Sequence, residues 1–206
     1  MPNTIMRKIA AVLLPACLLA GPVPAAAEPG IDTATLSESK VAMLDASQAG
    51  AAGKSFLAAT IIDAPLPALC AIIQDFSGYP GFMPSVAKTV VTRGADATLV
   101  DMTLKLPMGK SKRYRLKMDA KSSAQLCQLS WKMLPSAGLT PDQTIADTTG
   151  YWQLTPAPAD KRKTVVKYFV YTDPGPVPIG MGWIVDSLSK DSLPKTLEAL
   201  RAKAAR

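Results

Sequence analysis

The 206-residue chain contains no histidine. That absence removes the commonest general base and the commonest zinc ligand together. Ser-His-Asp and Cys-His mechanisms are thereby excluded. Charge is scarce as well. Charged residues make up 19%, below the usual quarter, while 48% are apolar. That balance supports a sizeable buried core and argues against extensive disorder. The sequence has no Gly-rich phosphate loop, dinucleotide fingerprint or zinc-ligand spacing. No cofactor and no metal site are expected, and no catalytic residue is assigned.

What is present begins with a leader. Arg7 and Lys8 precede an apolar stretch over residues 9–20, too short to span a bilayer, and Ala25, Ala26 and Ala27 offer small residues for cleavage before Glu28. Residues 1–27 therefore read as a signal peptide cleaved after Ala27, which predicts export, in a bacterium to the periplasm. A lipoprotein ending at Cys17 is the alternative, and Pro15 fits it poorly. Loss of Arg7 and Lys8 lowers the formal charge from +7 to +5. A moderately basic surface favours anionic partners, so transient contact with a membrane surface is one expectation. The densest basic run holds Lys110, Lys112, Arg113, Arg115 and Lys117. It lacks the aromatic platforms that single-stranded nucleic acid needs, so no nucleic-acid partner is expected. Cys70 and Cys127 remain after cleavage. Export permits a disulfide, but both sit in apolar runs, and buried free thiols are the expected state.

Residues 28–53 are rich in Ala, Ser and Gly and read as a tether or a short helix around Leu36, Val41, Met43 and Leu44. Residues 54–206 form the domain. A strand is expected over 55–62, then a helix carrying Leu66, Leu69, Cys70 and Ile73 at helical spacing, with Asp63 as its cap. Gly78, Pro80, Gly81 and Pro84 restrict the next stretch to one or two helical turns. Strands follow at 86–92, 99–106, 112–119, 126–134, 145–154 and 164–172. Three of them alternate apolar and polar residues with the period of a half-buried antiparallel sheet. Pro-rich residues 173–178 cannot pair in a sheet. A closing helix is expected from about residue 179, kinked or restarted at Pro194, with Asp191 or Ser192 as a local cap. Segregated strands with flanking helices give an α+β fold class.

Several phrases resemble one superfamily. They are Ile62-Asp63-Ala64-Pro65, then Asp75-Phe76, Tyr79-Pro80 and Phe82-Met83-Pro84; later Gly150-Tyr151-Trp152-Gln153-Leu154; and finally Lys190-Asp191-Ser192-Leu193-Pro194 with Thr196, Leu197 and Leu200. Together they resemble the START/Bet v 1-like helix-grip (SRPBCC) superfamily, in its polyketide cyclase/dehydrase and coenzyme Q-binding START-like branch, over about residues 55–205. The resemblance implies a curved seven-stranded antiparallel sheet wrapped around a long C-terminal helix. It also implies an internal cavity for lipids, isoprenoids or aromatic polyketides.

On that fold the inward residues form a candidate ligand-binding set. Phe76, Tyr79, Phe82 and Met83 come from the short turns. Met102, Leu104, Tyr114, Leu116 and Met118 come from the first strands of the sheet. Trp131, Met133, Trp152 and Tyr168 come from the later strands, and Trp183, Ile184 and Leu188 from the closing helix. The same pattern also describes an ordinary filled core, because apolar periodicity does not distinguish a packed interior from a hollow one. Tyr79, Tyr114, Tyr168 and Trp183 each offer a hydrogen bond to a ligand's polar end. Asp75 and Asp191 read as helix caps, and Asp101 and Asp119 as solvent-facing. The expected function is binding or transfer of a hydrophobic small molecule. The alternatives are a cyclase or dehydratase, which requires a carboxylate in the cavity, and a non-binding interaction module with a solid core.

Overall fold

The computed structural model describes residues 30–95, 97–176 and 190–206. The leader 1–27 lies outside them, as do residues 177–189 with Trp183, Ile184 and Leu188.

The eight strands of the described residues are β1 (Ala42–Asp45), β2 (Lys54–Ile62), β3 (Val86–Arg93), β4 (Thr98–Lys105), β5 (Ser111–Ser122), β6 (Cys127–Leu134), β7 (Asp147–Pro156) and β8 (Thr164–Asp173). They pair antiparallel in the order β1-β2-β8-β7-β6-β5-β4-β3. The first long strand thus lies beside the last, and the chain between β2 and β3 must cross to the far edge. Helix α1 (Leu66–Gln74) and a 3-10 turn (Phe76–Gly81) make that crossing, and helix α2 (Ser192–Ala204) closes the chain. The α+β helix-grip class is the observed one. Its strand count is eight rather than seven.

The extra strand is β1. Residues 42–45 were expected as tether or short helix, but they pair with β2 through Ala42–Ala59 and Leu44–Leu57. Four residues carry only two periods of alternation, too few to separate a strand from a turn of helix. The free edge of β2 decides the outcome. Asp63 is a second correction. The α1 cap position is Pro65, and no side chain caps that end. Asp75 behaves as expected, capping the 3-10 turn by accepting from the Gly78 N–H at 3.1 Å.

Cross-strand register sorts the side chains. Val100, Met102 and Leu104 of β4 lie opposite Leu116, Tyr114 and Lys112 of β5, while Met118 and Trp131 pair between β5 and β6. Leu129 lies opposite Trp152, and Trp152 opposite Tyr168. These positions share the inner face because side chains alternate along a strand. Trp131 lies opposite Gly150, where a Cβ would collide with the indole ring and with the Phe169 carbonyl. Glycine at 150 is therefore a packing requirement of Trp131.

Helix α1 packs on β6, β7 and α2, and α2 packs on β2. Leu69, Ile73, Leu193, Leu197 and Leu200 are fully buried there against Leu129, Leu154 and Val166. Polar ties fix the same end. The Arg201 guanidinium donates to Thr60 Oγ1 at 2.8 Å, and Thr60 donates to the Ser37 carbonyl at 3.0 Å. The N-terminal segment, β2 and α2 are thereby joined.

Cys70 and Cys127 correct the expectation of free thiols, since they form a disulfide. Cys70 faces the sheet from α1, and Cys127 is the first inward residue of β6. Their Cα atoms are 5.9 Å apart, within bonding reach. Sequence spacing could not show this, because the pairing depends on how α1 crosses the sheet. The bridge closes a loop across 57 positions of sequence. Chain-entropy arithmetic for a loop of that length gives about 4 kcal/mol of stabilisation. A Cys70→Ser/Cys127→Ser variant should lose stability of that order in denaturant titration. Reductant should lower the thermal midpoint of the wild type and leave the variant unmoved.

Candidate functional site

Helices α1 and α2 cover one part of the inner face. Beside them lies a cavity. Its floor is Met102 and Leu104 of β4, Tyr114, Leu116 and Met118 of β5, and Trp131 of β6. Thr148 and Trp152 of β7, with Tyr168, Val170 and Thr172 of β8, form the far wall. Tyr79, Met83, Pro84, Ser85 and Val86 close one side, and Ser192, Leu193 and Thr196 of α2 another, with Ile145 between. The void measures about 110 Å³, and the whole concavity with its open mouth about 900 Å³. Three concavities on the outer surface are larger voids, about 470, 430 and 290 Å³. All are shallower, and the two largest include Lys117, Asp119, Lys132, Asp101, Arg113 and Arg115. Greater enclosure and a lining of inner-face aromatic and apolar side chains, rather than size, mark the inner one as the candidate site.

Of the residues singled out from the sequence, Tyr79, Met83, Met102, Leu104, Tyr114, Leu116, Met118, Trp131, Trp152 and Tyr168 line this cavity. Three do not. Phe76 is buried with its ring edge-on to Tyr79, behind the cavity wall. Phe82 packs edge-on against the same ring at 5.7 Å. Met133 has the inward parity of Trp131 but sits at the end of β6, where it lines a surface hollow with Pro135 and Leu139. Sequence reasoning missed ten further lining residues, among them Thr148, Thr172 and Thr196. Thr148 and Thr172 share the period-2 phase of Trp152 and Tyr168, so their inward positions were readable. An apolar criterion passed over them.

The aromatic wall is continuous. Trp152 and Tyr168 stack with ring centroids 3.9 Å apart, and Trp131 tilts against Tyr168 at 5.8 Å. The three tyrosines differ in what their hydroxyls do. Tyr79 donates to the Ile73 carbonyl at 2.5 Å, satisfying an acceptor that the end of α1 leaves open. The hydroxyls of Tyr114 and Tyr168 have no hydrogen-bond partner among the described residues. Burial pushes all three phenols above the usual tyrosine range; for Tyr168 the nearby Tyr114 adds to the effect. All three therefore stay neutral at physiological pH. Among the described residues no Asp, Glu, Lys or Arg lines the cavity. Asp101 is held by Arg115 on the outer face, and Asp119 is exposed. Among the described residues no cluster could hold a metal ion.

No protein-family model and no curated protein sequence matches the chain. Solved structures do. The STAR-related lipid transfer protein of Xanthomonas axonopodis superposes with a TM-score of 0.66 at 16% identity, covering 81% of this chain and 94% of that one. This chain has the START-like helix-grip fold. Human StAR-related lipid transfer protein 5 gives a TM-score of 0.67 at 11% identity, over 80% of this chain and 82% of the other. The di-domain ARO/CYC StfQ of the steffimycin biosynthetic pathway gives 0.53 at 16%, over 73% of this chain and half of its own. At such identities the likeness is one of START-like architecture, and function rests on the cavity itself.

The tyrosines yield a contrast. Tyr79→Phe strips a buried hydrogen bond and should cost about 1–2 kcal/mol in denaturant titration. Tyr168→Phe removes a hydroxyl with no protein partner, so its unfolding midpoint should match the wild type.

Proposed function

We propose that the protein binds and carries a hydrophobic small molecule outside the inner membrane. The carrying observation is the inner-face cavity whose described lining is mainly apolar and aromatic and has no charged side chain. Removal of the ligand's apolar surface from water would drive binding. A single ring buries roughly 200 Å², worth about 5 kcal/mol before the cost of association. A cavity of about 150 Å³ holds one benzene ring. The 110 Å³ void is smaller than that, so it suits a chain end or part of a ring, with the remainder of the ligand in the mouth. Met83, Met102 and Met118 line the walls, and their flexible thioether chains can yield to ligands of different outline. The lipid-transfer proteins that share the fold support this reading.

The cyclase or dehydratase reading draws on the ARO/CYC likeness. It needs a group that moves a proton, and a carboxylate is the natural candidate in a chain without histidine. The described lining supplies none, so binding is the better-supported function. A solid-core interaction module is inconsistent with the void.

Export and cleavage after Ala27 belong to the same proposal. Intact mass of the exported product should correspond to a chain starting at Glu28, whereas a lipid-modified Cys17 would replace that reading by a membrane-anchored one. Native mass spectrometry of freshly purified protein should show a bound apolar molecule that organic solvent removes. Refilling with a neutral hydrophobe should change the tryptophan emission, because Trp131 and Trp152 form the wall. No co-purified molecule, together with no emission change for any neutral hydrophobe, would count decisively against a carrier.

A further inference from the structure

A buried hydroxyl ordinarily finds a partner, because leaving it unpaired forfeits the bond it had with water. The cavity's two phenols without a partner among the described residues are exceptions, and they come from strands on different sides of it. Tyr114 enters from β5 and Tyr168 from β8, two strands that β6 and β7 separate in the sheet. Both positions are on the inner face, and the curved sheet turns them toward one void. Tyr168 is 8% exposed and Tyr114 is partly buried, and both side chains line the cavity. Tyr79, by contrast, spends its hydroxyl on the Ile73 carbonyl. Of the cavity's threonines, Thr148 donates to the Tyr171 carbonyl at 2.7 Å and Thr196 to the Ser192 carbonyl at 2.8 Å. The fold therefore engages Tyr79, Thr148 and Thr196 with backbone carbonyls and leaves the two phenols open toward the void.

We propose that Tyr114 and Tyr168 are specificity-determining residues that donate hydrogen bonds to an uncharged oxygen of the ligand, a carbonyl or hydroxyl, so that the cavity selects neutral oxygenated hydrophobes over carboxylate- or phosphate-bearing ones. This rests on the cavity being a ligand site. Its chemistry follows from the two kinds of group at hand. A phenol O–H gives a directed bond to a neutral acceptor and costs little to desolvate. An ionised headgroup placed in the same void would lose its hydration with no cation in the described lining to replace it. Trp131 and Trp152, flanking Tyr168, offer apolar wall and ring faces for the body of such a ligand.

Three probes of similar size separate the possibilities: pentylbenzene, which has no oxygen; valerophenone, which has a neutral carbonyl; and ionised phenylvalerate. Binding is followed by calorimetry or tryptophan emission on the wild-type protein and on Tyr114→Phe, Tyr168→Phe and the double variant, with Tyr171→Phe on the outer face as a control. Each inner variant is expected to weaken valerophenone about 3- to 10-fold, the range for one lost hydrogen bond, while pentylbenzene is unchanged. Phenylvalerate is expected to bind about 10-fold more weakly than valerophenone, or worse. Valerophenone affinity should be flat from about pH 5 to about pH 9, because neither phenol ionises in that interval. Unchanged valerophenone affinity in the double variant, or phenylvalerate binding as tightly as the ketone, overturns the subsite while pentylbenzene binding leaves the carrier reading intact. If pentylbenzene and valerophenone both fail to bind the wild type, the carrier reading falls and the subsite with it.

Discussion

The site depends on a mismatch of widths. Eight antiparallel strands curve into a concave face, and the described helices span only part of it: α1 rests on β6 and β7, and α2 on β2. Beneath them the core is solid, with Leu69, Ile73, Leu129, Leu154, Leu193 and Leu197 essentially sealed from solvent. Beyond them the inward side chains of β4 and β5 meet no helix among the described residues, and the void opens. A hollow of about 110 Å³ costs roughly 2–3 kcal/mol, at about 24 cal/mol per Å³ of lost packing. Such a cost persists only if other interactions hold the frame open. The Cys70–Cys127 bridge fastens α1 to the sheet. The Arg201–Thr60 bond fastens α2 to β2, and Thr60 in turn bonds back to the N-terminal segment. Both ties lie on the packed side, where they resist collapse without occupying the cavity.

Much of this frame was legible from alternation alone. The strands expected over 99–106, 112–119 and 126–134 match β4, β5 and β6 to within a few residues, because each carries three or more apolar residues in strict phase. That phase also fixes which side chains face inward, and eight of the ten anticipated residues that reach the void lie on strands, while Tyr79 and Met83 come from the turn before β3. Two of the misses depend on partners remote in sequence, and the others on local breaks in the period. β1 exists because β2 has an open edge. The disulfide exists because α1 crosses over the start of β6. Met133 carries the right phase, yet it misses the cavity because β6 ends there and the chain turns into the loop containing Pro135. Phe76 and Phe82 belong to a turn in which no period applies, and they pack around Tyr79 instead of facing the void.

The tyrosines show where sequence reasoning reaches its limit. Tyr79, Tyr114 and Tyr168 each read as an amphipathic residue with an apolar ring and a hydroxyl to place. Nothing local separates them. The separation comes from what stands opposite each hydroxyl once the chain has folded. Tyr79 meets the carbonyl end of α1, which needs a donor, and becomes part of the scaffold. Tyr114 and Tyr168 meet empty space. Structural and recognition roles thus fall to the same residue type in one cavity, and the deciding variable is the distance to an unsatisfied backbone acceptor.

The chemistry available to such a cavity follows from the missing histidine. Without imidazole, and with every carboxylate of the described residues outside the lining, the site holds no described group that exchanges protons near neutral pH. Its phenols are pushed further from ionisation by the same burial that makes the cavity apolar. Desolvation therefore acts twice. It makes the void attractive to greasy molecules, and it locks the polar groups inside it as neutral donors. A charged side chain introduced on the inner face, at Met118 for example, would face the same desolvation and would destabilise the fold before it could serve as a base. The hollow and the neutrality of its described lining are two consequences of one arrangement: an apolar concave sheet whose described helices cover only part of its inner face.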